Sequence, residues 1–284
     1  MGKYLRLLRL GDQYFQVGAV AAAGWLVGGG NEVVWWMVAT ILLSCPTFII
    51  NELADRQDVD KFSWNGIHVR EKVSSLATGG LFVVLSAGGL ALAYGIGKWG
   101  WGLAMWVLAV LYSMPPVRLK ARAVVDILVQ ETVWWAIPFL AIVWGKFDGL
   151  LVSGMVVFGG CVMWCGFFPY QLADILADTK ARLRPTHVVW GMKRSLYFGA
   201  GTGLAALGLF WALRIDRLAW WSWAFVGLTV FVLANYGLWL KMRRVESQVK
   251  SMQNYVKFTK PLTQVMVLGL VFLYLWQKVN LGRQ

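Results

Sequence analysis

Nine long apolar runs, parted by short polar gaps, make up most of this sequence and constrain its fold more than any other feature. They lie at about 15–30, 33–53, 75–97, 99–113, 124–145, 149–170, 195–213, 219–240 and 260–278. A helix needs roughly 20 apolar residues to cross the hydrocarbon core of a bilayer, and most of these runs approach that length. The fourth is short because Pro115–Pro116 stops it. Only 14% of the residues are charged, against about 25% in soluble domains, too few to cover a water-facing surface. The expectation is an all-α, polytopic membrane protein with about nine transmembrane helices, forming one integral-membrane domain over residues 1–284. A polar stretch through Gln16 precedes the first run, which is not the shape of a signal peptide.

The net charge of +13 would suggest a nucleic-acid partner in a soluble protein. Here 21 of the 27 Lys and Arg residues fall in alternate gaps on one side. That side collects Lys3, Arg6 and Arg9, then Arg56, Lys61, Arg70 and Lys72, then Arg118, Lys120 and Arg122. It also takes Lys180 to Arg194 and Lys241 to Lys260. This is positive-inside topology, with membrane lipids as the surroundings and no nucleic acid. The richer side is then cytoplasmic, the N-terminus lies with it, and an odd number of spans puts the C-terminus opposite.

Acidic residues are scarce: the chain has 14, and six fall in two short clusters. The first is Asn51-Glu52-Leu53-Ala54-Asp55-Arg56-Gln57-Asp58-Val59-Asp60, after the second run. The second is Asp174-Ile175-Leu176-Ala177-Asp178, after the sixth. Both belong to the cytoplasmic side. Helical positions three, four and seven apart share a face, so Asn51, Asp55 and Asp58 line up, as do Asp174 and Asp178, with Gln171 one turn back. Two carboxylate faces at one membrane edge repel unless a cation lies between them. Hard oxygen donors that also leave room for phosphate suit Mg²⁺. A diphosphate bound with such an ion becomes a good leaving group, because charge developing on it is neutralised. The candidate metal ligands are Asn51, Asp55, Asp58, Asp174 and Asp178.

A third element, Tyr112-Ser113-Met114-Pro115-Pro116-Val117-Arg118-Leu119-Lys120, ends the fourth run on the same side. The prolines turn the chain so that its cations fold back over the mouth. Arg118, with its forked donors, and Lys120, a point charge, are candidates to grip a diphosphate. Topology alone also explains them.

Other residues read as packing. Cys45, Cys161 and Cys165 fall inside apolar runs and behave as small apolar side chains. The glycine pairs allow close helix approach. Trp35–Trp36, Trp134–Trp135 and Trp220–Trp221 sit near run ends and suit interfacial belts. Asp126 and Glu131 lie inside the fifth run, where a carboxylate is a functional suspect; Asp126 can pair with Arg122. His68 and His187 read as loop histidines.

Taken together, these motifs resemble the UbiA superfamily of intramembrane prenyltransferases. That family carries Asn-Asp-x-x-Asp-x-x-x-Asp after the second helix and Asp-x-x-x-Asp after the sixth, with a Tyr- and Lys-containing loop after the fourth. Asn51 and Asp55 match the first motif and Asp174 and Asp178 the second. Tyr112 through Lys120 looks like the stretch in the chlorophyll synthase-like and lycopene elongase-like branches. Glu52 replaces the second residue of the first motif, Val59 stands where its last Asp is expected, and Asp58 lies one position earlier. The resemblance implies a bundle of about nine helices with active-site loops at about 51–74, 112–123 and 171–194. It implies Mg²⁺-dependent transfer of a prenyl group from a prenyl diphosphate to a lipophilic acceptor: aromatic or quinone, chlorin, or isoprenoid. Asp55, Asp174, Asp178 and Tyr112 would be catalytic, with Tyr112 steadying the cation or the acceptor. Two other readings stay open. One is an intramolecular terpene cyclase on the same scaffold, and the other is a transporter or non-catalytic membrane protein.

Overall fold

The structure is a computed structural model that describes residues 8–55, 74–215 and 222–281. A 3-10 turn, Leu10–Asp12, leads into ten helices, with a second such turn at Leu119–Ala121: α1 (Tyr14–Val27), α2 (Asn31–Asp55), α3 (Ser75–Gly95), α4 (Trp99–Ser113), α5 (Val125–Val143), α6 (Gly149–Ala173), α7 (Ile175–Lys180), α8 (Thr186–Ala212), α9 (Ser222–Lys241) and α10 (Val245–Leu281). No strand occurs among the described residues.

Six of these helices are long and apolar enough to cross a membrane: α2, α3, α5, α6, α8 and α10. The other three expected spans correspond to shorter apolar helices, Tyr14–Val27, Trp99–Ser113 and Val226–Lys241. α1 is short because Gly28, at φ 59°, takes the left-handed cap that ends a helix. Large apolar side chains cover the outside of the bundle; Val84, Leu204 and Phe272 are each more than 60% exposed. Water would penalise such a surface and lipid would not.

Two helices begin well before their apolar runs. α8 starts at Thr186 rather than near 195, and α10 at Val245 rather than near 260. Hydropathy marks only the part of a helix that meets lipid. The polar first turns of α10 are held instead by Gln248, whose Nε2 donates to the carbonyls of Trp239 and Met242 at 2.8 and 3.1 Å. Within α8, Gly191 at φ 73° breaks the ladder and separates a short N-terminal turn from the long apolar rod.

The buried side chains form two clusters. One centres on α1, α2, α4 and α5 and takes in Ala93, Met155, Phe210, Leu270 and Tyr274, and the other centres on α6, α8, α9 and α10 and takes in Ile127. Close approach relies on small residues where α6 meets α5: Gly159 lies directly under the Trp135 ring. Trp35 is 52% exposed, as a belt residue would be, whereas Trp36 and Trp134 depart from the belt expectation. Trp36 is fully buried with Nε1 donating to the Pro138 carbonyl at 3.0 Å, and Trp134 packs edge-on to Phe48. Proximity to the end of a run does not settle which way a ring points, and these fill the interior. Trp220 and Trp221 lie outside the described residues. All three cysteines are buried and free.

Candidate active site

A cavity of about 500 Å³ opens between the two clusters, at the end of the bundle where α2, α4 and α6 finish. Each helix delivers its polar residues there because its apolar run stops there. Asn51, Tyr112, Lys120, Asp174 and Asp178 all line this cavity, although up to 127 positions separate them. Arg118 is not in its walls; its backbone takes a left-handed conformation at φ 38° and starts the turn that delivers Lys120. Asp55 closes α2, but its side chain, with Asp58 and His68, lies outside the described residues.

The first acidic motif is tied to the loop after α4. Asn51 Oδ1 accepts from Lys120 Nζ at 2.5 Å and from Ser113 Oγ at 3.0 Å. Glu52, only 1% exposed, turns away from the acid face and pairs with Arg9, whose guanidinium also rests 5.7 Å from the Phe48 ring centroid. The departure from the family pattern at position 52 thus anchors the segment before α1.

The second motif breaks across two helices. α6 ends at Ala173, Asp174 is the joint, and Asp178 sits in the first turn of α7. Asp178 Oδ2 lies 2.8 Å from His187 Nε2. Asp126, expected to face Arg122, instead accepts from the Thr186 backbone N–H at 3.0 Å and from the Thr186 hydroxyl. The loops before α5 and α8 meet in an isolated backbone bridge between Arg122 and Arg184.

Tyr112 enters a polar chain at the cavity wall: Gln171 Nε2 donates to Gln130 Oε1 at 3.0 Å, and Gln130 Nε2 donates to the Tyr112 hydroxyl. Glu131 faces α6 at Gly160 and is not in the cavity wall.

Sequence reading missed several wall residues. Arg9, Asp12, Lys257 and Lys260 all reach the cavity, with Lys260 paired to Asp12. Only the unbroken run of α10 brings Lys257 and Lys260 to the mouth. Phe48, Trp134 and Phe167 supply an aromatic side to the same wall.

Behind this site lies a second cavity of about 110 Å³. Its lining is almost wholly apolar, mainly from α1, α6, α9 and α10, with Trp135 of α5 and Phe210 of α8. Tyr14, Phe15 and Tyr170 belong to both cavities. The two tyrosine hydroxyls are 3.5 Å apart, so they stand at the boundary between a charged chamber and an apolar one.

The donor set fits a divalent cation held jointly with a substrate. Asp174 and Asp178 offer hard carboxylate oxygens in one wall. Mg²⁺ is commonly bound by one or two carboxylates together with phosphate oxygens rather than by an all-protein cage. Among the described residues no group of three or more His, Cys, Asp or Glu side chains forms such a cage.

No curated protein sequence matches the chain. Solved structures do. A UbiA homolog from Archaeoglobus fulgidus bound to GPP and Mg²⁺ is 18% identical, with TM-score 0.71, over 95% of this chain and 99% of that one. The homolog bound to DMAPP and Mg²⁺ gives TM-score 0.70 at the same identity and coverage. A structure of digeranylgeranylglyceryl phosphate synthase is 15% identical, with TM-score 0.63, over 95% of this chain and 98% of that one. At such identities the likeness shows a shared fold. The profile of the UbiA prenyltransferase family matches residues 15–260, most of the 284, and the chain belongs to that family.

Proposed function

We propose that this protein transfers a prenyl group from a prenyl diphosphate to a lipophilic acceptor, within the membrane and with Mg²⁺. The observation that carries this reading is the pair of adjoining chambers, one charged and one apolar, sharing Tyr14, Phe15 and Tyr170. Their chemistry matches a molecule with an anionic head and a hydrocarbon tail. The Archaeoglobus homolog bound to GPP and Mg²⁺ supports the same assignment.

Asp174 and Asp178 would hold the metal, with Asp55 and Asp58 from the other motif. Asn51 could join them only by releasing Lys120 and Ser113. Bound there, Mg²⁺ would neutralise charge on the departing diphosphate. Lys120 and Arg9 face the same chamber and would grip the head group, with Arg118 as an outer cation. The C–O bond breaks with its electron pair leaving on the diphosphate, and the allylic carbon bonds to a nucleophilic carbon or oxygen of the acceptor. The acceptor loses a proton where its nucleophilic atom carries one. Trp134 and Phe167, with ring centroids 6.3 Å apart, would face the cationic carbon and exclude water from it. Tyr112, oriented by Gln130, would steady the cation or the acceptor.

The basic residues of alternate gaps support a cytoplasmic mouth and N-terminus. Counting the three shorter apolar helices as spans gives nine, with the C-terminus opposite.

The test is product analysis of purified protein given Mg²⁺, labelled prenyl diphosphates and a host lipid extract, beside Asp55→Ala and Asp174→Ala. An extract-dependent prenylated adduct absent from both variants supports the transferase and identifies the acceptor. A cyclic product formed without extract replaces it by a cyclase. Silence with every donor length, together with no Mg²⁺ binding, removes the enzyme reading and leaves a transporter or non-catalytic protein.

A further inference from the structure

His187 reads from sequence as an ordinary loop residue, yet it is 3% exposed and stands in the wall of the charged cavity. Its Nε2 is 2.8 Å from Asp178 Oδ2. The contact is a hydrogen bond to the carboxylate when the imidazole carries a hydrogen on Nε2. Nδ1 is buried and has no hydrogen-bond partner among the described residues.

The position of His187 is fixed from its other side by a clamp between α5 and α8. The Thr186 hydroxyl accepts the Val124 N–H at 2.6 Å and donates to Asp126, while the Thr186 N–H donates to Asp126 Oδ2 at 3.0 Å. Asp126 is 1% exposed. Val124 holds φ 69°, a conformation that costs a β-branched residue on the order of 1–3 kcal/mol and persists only where neighbours over-determine it. On the Asp178 side, the Leu183 N–H donates to the Asp178 carbonyl at 3.0 Å and closes the connecting loop. Both ends of the His187–Asp178 contact are therefore anchored independently of the contact itself.

We propose that His187 is a positioning residue that orients the Asp178 carboxylate toward a bound divalent cation, and that the Asp126–Thr186 clamp holds His187 for that purpose. The bond to Oδ2 fixes the rotamer and leaves Oδ1 to the ligand. Outer partners of metal-binding carboxylates act in this way, and removing one costs about 10–100-fold in metal affinity or activity. The inference rests on the metal reading of the preceding section, and its test is a binding measurement that needs no turnover.

The experiment is Mn²⁺ titration of detergent-purified protein by electron paramagnetic resonance, with inorganic pyrophosphate present. His187→Phe removes the donor and keeps a ring; His187→Gln restores an amide donor; Asp178→Asn is the control for the ligand. Thr186→Val keeps side-chain volume and the backbone N–H but removes the hydroxyl of the clamp. The expected result is an Mn²⁺ dissociation constant raised about 10–100-fold in His187→Phe. It should return toward wild type in His187→Gln and shift by a smaller factor in Thr186→Val, which also melts at a lower temperature because the Val124 N–H and an Asp126 oxygen lose their partner. Should His187→Phe fail to fold, Thr186→Val and His187→Gln carry the comparison. Loss of Mn²⁺ binding in Asp178→Asn with unchanged binding in the folded His187 and Thr186 variants overturns the inference and leaves the metal site standing. Wild-type protein that binds no Mn²⁺ with pyrophosphate overturns both.

Discussion

Lys120 Nζ stands 2.5 Å from Asn51 Oδ1, joining the turn after α4 to the last turns of α2 across 69 positions of sequence. The bond holds a cation at the wall of the charged chamber before any substrate arrives. An ammonium fixed this way loses less freedom on meeting a diphosphate than one on a free tether.

Lys120→Met should therefore weaken donor binding more than it slows chemistry. A hydrogen bond to a charged group contributes about 1.5–3 kcal/mol, which corresponds to a KM for the prenyl diphosphate raised roughly 10–100-fold. Initial-rate kinetics against donor concentration check this. A KM within twofold of wild type would remove Lys120 from the head-group site.

Glu52 and Arg9 give a second prediction. Removing one member of a buried ion pair leaves the other uncompensated and typically costs about 3–5 kcal/mol, here reduced because Arg9 is 25% exposed. Glu52→Ala should lower the melting temperature and release the segment before α1. Limited trypsin digestion then cuts faster after Arg9 than in wild type. An unchanged digestion rate would show that the remaining ties of the segment, the Phe48 contact and the Asp12–Lys260 pair among them, suffice to hold it.

How much of this was readable in one dimension varies residue by residue. Asp174 and Asp178 stood out because carboxylates are rare in an apolar chain and these two share a helical face. Their partner His187 did not, because its meeting with Asp178 depends on a loop reversal between α7 and α8. Arg9, Lys257 and Lys260 looked like topology charges; only the length of α10 and the docking of the segment before α1 bring them to the cavity. Trp36 and Trp134 were misread for a related reason. A tryptophan near the end of an apolar run suits an interface, but rotation of its helix about its own axis decides whether it faces lipid or core. The apolar chamber was invisible, since pocket depth depends on which side chains meet across six helices.

The contact of α5 with α6 is testable through Gly159. A Cβ placed there would lie 1.7 Å from Trp135 Cε2, far inside van der Waals contact. Overpacking of this kind costs about 1–3 kcal/mol, so Gly159→Ala should lower thermal stability in detergent. Combining it with Trp135→Leu should recover part of the loss, because the clash is with that ring. Equal melting of the single variant and wild type would mean that the two helices separate easily at this point.

Gly166 addresses the apolar chamber directly. It lines that chamber from α6, and a Cβ built on it meets no atom within 4 Å, so a larger side chain can enter the open space without forcing the helices apart. The chamber holds about 110 Å³, somewhat less than a cavity known to take a benzene molecule, so roughly one isoprene unit fits. Gly166→Leu would fill most of it. If the donor's tail passes Tyr14 and Tyr170 into this space, the variant should discriminate against long donors and leave short ones unaffected. Excluding a few methylenes from an apolar pocket costs about 1–3 kcal/mol, so the ratio of kcat/KM for a 20-carbon donor over a 10-carbon donor should fall by about 10–200-fold. Competition by prenyl diphosphates of both lengths in a binding assay gives the same ratio without turnover. An unchanged length profile, with the protein folded and active, would place the tail along another path and leave the charged chamber as the only part of the site that the donor uses.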